Sequence, residues 1–187
     1  MTPHTFDPDR AEKLEDERRY RWCSLEEFYT LVRPDPTETI ADLGSGTGFY
    51  TDSIAPRVDT VYAVDVQPEM HELYATKGVP PNVKQVTADV ADLPFDDDEL
   101  DGAVSTMTYH EFATADALAE VARVIRPGGK FCVVDWAAAG EGAAGPPHSE
   151  RIGIGDALSA LSTSGFIIDR ATTRTETFVI AARRRNN

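Results

Sequence analysis

The chain has 187 residues, 41% of them apolar, which suffices for one domain around a real core. Its 32 acids against 18 bases leave a net charge of −14; only the Arg183-Arg184-Arg185 triplet offers a positive footprint, so DNA, RNA and anionic lipid surfaces are not expected partners. No apolar run approaches the roughly 20 residues of a membrane helix and the polar start lacks a signal peptide's apolar centre, so a cytoplasmic protein without membrane insertion is expected.

From the start of the chain, Asp9 to Arg19 is highly charged with Ala11 and Leu14 on one side, which predicts a surface helix with a narrow apolar stripe. Ser24-Leu25-Glu26-Glu27 has the spacing of a capping box and opens a helix through Val32 that Pro34 and Pro36 end. Residues 1–36 are therefore expected to form a helical cap over a ligand cleft, with Tyr20 and Trp22 lining it, and residues 37–187 the core of one domain. Beyond the cap the chain alternates: strands near 39–43, 60–65, 83–88, 100–106, 129–135, 166–172 and 176–182, and helices near 49–56, 68–76, 114–124 and 154–164. Such alternation predicts an α/β fold with a mainly parallel, doubly wound sheet whose post-strand loops share one edge. The last two strands are joined by too few residues for a crossover helix and must be antiparallel. Cys23 and Cys132 lack metal-ligand spacing and read as core.

The first strand runs into Asp42-Leu43-Gly44-Ser45-Gly46-Thr47-Gly48, three alternate glycines followed by a helix. Backbone there can approach a ligand more closely than a Cβ permits. A dinucleotide turn places its third glycine where this chain has Phe49. Asp65 ends the second strand and Asp89 the third, with Val90-Ala91-Asp92-Leu93-Pro94-Phe95 after it, and Arg126-Pro127-Gly128-Gly129-Lys130 leads into the fifth.

From Asp42 to Trp136 these motifs resemble, in order and spacing, the class I S-adenosylmethionine (SAM) dependent methyltransferases, closest to the small quinone-methyltransferase-like branch. His4-Thr5-Phe6-Asp7-Pro8 with Leu14 and Arg18-Arg19, and Gly145-Pro146-Pro147-His148-Ser149-Glu150-Arg151-Ile152, are similar to segments of a bacterial and archaeal subgroup. The resemblance implies a Rossmann-like seven-stranded sheet of order 3-2-1-4-5-7-6, with SAM as cofactor and S-adenosylhomocysteine as product. It also implies that Gly44, Gly46 and Gly48 run beside the methionine and ribose, that Asp42 orients the turn or meets the ammonium, and that Asp65 takes the ribose hydroxyls. Asp89 with the Val90 backbone would read the adenine edge. Ser45, Val66 and Thr106 join the cofactor set, and Met70 covers the adenine or belongs to the core.

After the fourth strand, Thr106-Met107-Thr108-Tyr109-His110-Glu111-Phe112 falls where an acceptor would sit. A neutral imidazole at His110 suits a general base, with Tyr109 and then Glu111 as further candidates. Asp135-Trp136 faces the same edge, His148 is a candidate to close over the acceptor, and Arg151 to pair with an anionic substrate. The acid run Asp96-Asp97-Asp98-Glu99 reads as solvated rather than metal-binding. The leading expectation is methyl transfer to a small molecule. A protein or RNA target, a SAM-binding module without chemistry, and a nicotinamide oxidoreductase stand as alternatives; acceptor and oligomeric state stay open. Acid excess with scarce lysine also suits a halophilic source.

Overall fold

The computed structural model describes residues 6–186. His4 and Thr5 of the N-terminal motif therefore lie outside the described residues. Thirteen elements follow in order: α1 (Leu25–Val32), β1 (Thr39–Leu43), α2 (Phe49–Ile54), β2 (Thr60–Asp65), α3 (Pro68–Lys77), β3 (Val83–Thr87), β4 (Leu100–Thr106), α4 (Tyr109–Phe112), α5 (Ala115–Val124), β5 (Ile125–Trp136), α6 (Ile154–Thr163), β6 (Phe166–Thr173) and β7 (Thr177–Arg184). The strands form one seven-stranded sheet of order β3-β2-β1-β4-β5-β7-β6. The first five are parallel, and β7 runs antiparallel between β5 and β6.

Local chemistry sets the helix ends. Ser24 Oγ accepts from the Glu27 amide at 3.2 Å and Thr114 Oγ1 from Ala117 at 3.2 Å, each satisfying an amide that its helix leaves free. On one face of the sheet Phe28, Leu31 and Val32 of α1 pack with Tyr50, Ile54 and Val104. On the other, Leu118, Val121 and Val124 of α5 pack with Leu100, Phe131 and Ile180. The central strands are apolar toward both faces, as helix cover on both sides requires; Ile40, Ala41 and Leu43 of β1 are all fully buried.

The helix expected over Asp9–Arg19 is instead two short 3-10 stretches, Pro8–Glu15 and Glu17–Arg21. Asp16 breaks them. Its carboxylate accepts from the Arg18 amide at 2.9 Å and so offers the backbone a turn in place of a helical bond. With Ala11 the one buried residue of the first stretch and none in the second, no apolar face was available to enforce an α-helix.

Candidate active site

Parallel strands deliver the ends of β1, β2 and β4 to one edge, and the glycine loop leaves it. Gly44, Gly46 and Gly48 all have left-handed backbone, with φ of 76°, 53° and 84°. Two of them answer to packing as well as to any ligand. A Cβ on Gly44 would lie 2.2 Å from Thr108 Cγ2, and one on Gly48 2.2 Å from Tyr74 Cζ. Gly46 faces outward beneath Leu14 and sends its amide to Asp65 Oδ2 at 2.8 Å.

Asp42 is 1% exposed. Its Oδ2 accepts from Thr51 Oγ1 at 2.6 Å, while Oδ1 has no partner. Burial pushes its pKa up to about 6, against the pull of the Thr51 hydrogen bond and the Arg19 charge. Arg19 belongs to the N-terminal motif, whose resemblance carried no role for it at this edge. Its guanidinium donates to the Leu14 carbonyl at 2.6 Å, lies over the rings of Phe49 (4.9 Å) and Tyr50 (5.4 Å), and makes no ion pair among the described residues. An acid and a cation thus sit within electrostatic reach without bonding to each other. Ser45 Oγ beside them is also buried without a partner.

Asp65 Oδ1 accepts from the Gln67 amide at 3.0 Å, and burial raises its pKa despite these amide bonds. Val66 is 43% exposed next to it. Met70 is fully buried yet belongs to neither apolar cluster, and Thr106 is buried at the end of β4. Asp89 is exposed and uses Oδ1 to accept from the Ala91 amide at 2.9 Å, a turn-capping bond, while Val90 packs into the core with Leu93 and Phe95. The backbone keeps Asp89 close to Asp65, whose carbonyl accepts from Ala88 at 3.1 Å. Across this edge lies the first 3-10 stretch. Glu15 bonds Thr47 Oγ1 and pairs with Lys77 at 3.1 Å, and the Phe6 carbonyl accepts from Gln67 Nε2 at 3.0 Å.

At the end of β4, Met107 adopts φ 64°, which a side chain other than glycine rarely tolerates. Its amide donates to the Val134 carbonyl at 2.6 Å. This turn starts α4 and presents His110 to Asp135 on β5. Asp135 is fully buried; its Oδ2 accepts from the His110 amide at 2.6 Å and its Oδ1 lies 2.9 Å from Nδ1. The second ring nitrogen is 3.9 Å from Glu111 Oε1. Burial works to lower the His110 pKa, but the hydrogen bond and charge of Asp135 outweigh it, and the net direction is upward. Burial pushes Glu111 up to about 7. With Nδ1–H donated to Asp135, Nε2 is the nitrogen free to accept a proton.

Tyr109 does not reach this edge. Its ring is buried against Phe112 and Phe131, its hydroxyl has no partner, and burial pushes the phenol up. The same turn that aims His110 at Asp135 sends the preceding side chain into the core. Arg151 is also spent elsewhere. It is buried, pairs with Glu176 at 3.0 Å and donates to the carbonyls of Ala137, Ala144 and Pro146, pinning the loop between β5 and α6. His148 Nε2 lies 2.7 Å from the Gly140 carbonyl within the same loop. Trp136 is packed against Trp22 at 5.6 Å and against the Gly145 backbone, where a Cβ would come within 2.4 Å of the indole. Beside Trp22 opens a cavity of about 320 Å³, with Arg21, Glu141, Arg174 and Thr177 in its wall. Tyr20 sits instead on Phe49, 4.8 Å between ring centres.

Residues 41–133 match a family described as methyltransferase domain. A solved SAM-dependent methyltransferase from Aquifex aeolicus superposes with a TM-score of 0.85 and 26% identity, over 96% of this chain and 99% of that one. Among curated proteins, an uncharacterised methyltransferase-like protein of Schizosaccharomyces pombe is 36% identical over 54% of this chain and 39% of its own length. Two further relatives have different acceptors in their names. A demethylmenaquinone methyltransferase of Corynebacterium kroppenstedtii is 33% identical over 55% of this chain and 44% of its own, and a probable tRNA methyltransferase 9B of Homo sapiens is 30% identical over 72% of this chain and 29% of its own. The chain spans about two fifths of the length of the first curated relatives it matches. Among the described residues no helix is long and apolar enough to cross a membrane.

Proposed function

This chain belongs to the class I S-adenosylmethionine-dependent methyltransferases, and we propose that it methylates a small acceptor whose nucleophilic atom gives up a proton to His110. The observation that carries the cofactor part is the unpaired couple of Asp42 and Arg19. A buried carboxylate with one unused oxygen, beside a guanidinium without a carboxylate partner, has the donor and acceptor pattern of an α-amino-acid zwitterion. Asp42 would hold the ammonium and Arg19 the carboxylate of the methionine tail, with Gly46 and Ser45 alongside. Asp65 would exchange its bond to the Gly46 amide for the ribose hydroxyls, and Met70, Val66, Asp89 and the Val90 backbone would border the adenine. When bound, SAM supplies a methyl group on a cationic sulfur and leaves as a neutral thioether.

The chain's own work is then positioning and proton removal. Asp135 fixes the imidazole tautomer through Nδ1 and leaves Nε2 toward the acceptor side. Glu111, 3.9 Å from that nitrogen and with a pKa near 7, is placed to carry the proton onward. Trp22, Trp136 and the 3-10 stretch above the glycine loop keep water from the reacting atoms. An acceptor of this kind is an alcohol, phenol, neutral amine or acidic carbon. The charge of −14 favours a small molecule over a polyanion. A tRNA target is the second reading, favoured by the relative that bears that name.

Calorimetry with S-adenosylhomocysteine and turnover of methyl-labelled SAM test the two halves separately. Asp65→Ala is expected to abolish cofactor binding with the fold intact, and unchanged affinity would refute the ribose assignment. Label entering small phenols or enolisable acids supports the proposal. Label entering only tRNA redirects it, and binding without any transfer leaves a sensor module.

A further inference from the structure

The opposite edge of the sheet, where β5 begins and β7 ends, holds a second and larger cavity of about 530 Å³. Arg33, Arg126, Lys130, Arg170 and Arg183 line it against three acids, Glu38, Asp101 and Asp169. This balance is reversed from the chain as a whole, where acids outnumber bases 32 to 18.

Three of the five bases are already neutralised. Lys130 pairs with Glu38 at 2.6 Å, Arg126 with Asp101 at 2.7 Å, and Arg183 with Asp169 at 2.6 Å. Among the described residues the side chains of Arg33 and Arg170 make neither an ion pair nor a hydrogen bond. The groove is left with two guanidinium charges and no anion assigned to them.

Arg33 is fixed in an unusual way. It ends α1 in a left-handed conformation (φ 49°, ψ 61°), a state that a residue with a side chain rarely adopts. Two bonds hold it there: its amide donates to Tyr29 at 2.8 Å and its carbonyl accepts from Lys130 Nζ at 2.9 Å. The cavity wall also has apolar members, among them Leu31, Cys132 and Ala182. Ile167, 44% exposed, stands opposite Arg183 across the sheet.

We infer that this groove is a binding site for a small organic oxyanion, a carboxylate or phosphate monoester on an apolar body, with Arg33 and Arg170 gripping the head group and the apolar wall residues taking the body. Guanidinium forks match both head groups geometrically, and two unpaired guanidiniums suit a head group of one or two negative charges. The site lies at the other end of the sheet from the glycine loop, so it stands whether or not the methyl-transfer reading does.

Benzoate and phenyl phosphate are the probes, titrated by calorimetry at low salt into the full chain, with inorganic phosphate alone as a third arm. Saturable one-site binding of either aromatic probe is expected, tighter than inorganic phosphate and weakening as KCl is added. The better probe identifies the head group. Arg33→Ala with Arg170→Ala is expected to weaken it about tenfold or more. Arg57→Ala, a surface guanidinium stacked 3.9 Å over Tyr29, leaves it unchanged. Affinity for S-adenosylhomocysteine does not move in the double variant, and an unchanged melting curve shows that the fold is intact. Absence of saturation by both aromatic probes at about 10 mM, or equal binding by the double variant, overturns the inference.

Discussion

The two edges of this sheet treat charge in opposite ways. At the glycine-loop edge Asp42 and Asp65 are buried and Glu111 half-buried, and loss of solvent drives all three pKa values upward. At the far edge Asp101 and Asp169 accept from arginines and stay below the usual carboxylate range. Carboxylates taken from water without a full partner are costly to the fold, whereas exposed pairs are cheap and contribute little. Cost concentrated where the strands end is what the proposed cofactor and proton-transfer roles of that edge would require.

If that contrast is right, the largest effect belongs to His110. His110→Ala is expected to lower the turnover of methyl-labelled SAM by about 10²- to 10⁴-fold while leaving calorimetric binding of S-adenosylhomocysteine intact. An unaffected rate would reduce His110 to a pocket wall.

Asp135→Asn sharpens the same comparison through pH. The base form of His110 is lost as pH falls, and Asp135 raises its pKa, so the acid limb of the kcat/KM profile should lie above the unperturbed value of about 6.5. Removing the Asp135 charge should move that limb to lower pH and reduce kcat by about tenfold or more, with KM for SAM little altered. A purely structural Asp135 would leave the limb where it is.

Asp42→Asn should show the trade between stability and binding. The unfolded carboxyl ionises near the ordinary value of 3.8, whereas the folded one does so at about 6. Wild-type stability therefore falls as pH rises through that window and stays reduced above it. The amide keeps a partner for Thr51 without the buried charge, so denaturant midpoints at pH 7 are expected to correspond to a gain of about 1–3 kcal/mol. Affinity for S-adenosylhomocysteine should drop in the same variant.

The smallest effects belong to the far edge. Arg126→Ala breaks a half-exposed pair with Asp101 and should cost less than about 1 kcal/mol in urea unfolding. Molar KCl should raise the melting temperature of the whole chain by screening its net charge of −14, and a flat response would remove the halophile expectation.

Strand order, the antiparallel β7, the two cap helices' unequal fates and the carboxylates at the strand ends were not equally legible. The sheet was readable because each signal is local: apolar runs, three glycines, and a link between β6 and β7 too short for a helix. The expected helix over Asp9–Arg19 failed because its charge pattern offered no face to bury, and Asp16 capped a turn instead. Arg151 read as a substrate ligand, yet Glu176, 25 residues on, claims it. Tyr109 and His110 are neighbours in sequence and part company at one turn.

What this sequence determined by itself is the strand order and the family, since glycines, acids and strand periodicity act within a few residues of one another. Only the tertiary structure decided which side chains meet there: Asp135 with His110, Arg19 beside Asp42, Thr108 and Tyr74 against the glycines. Those meetings join residues dozens of positions apart, and their partners are chosen by packing and burial, which no local pattern encodes.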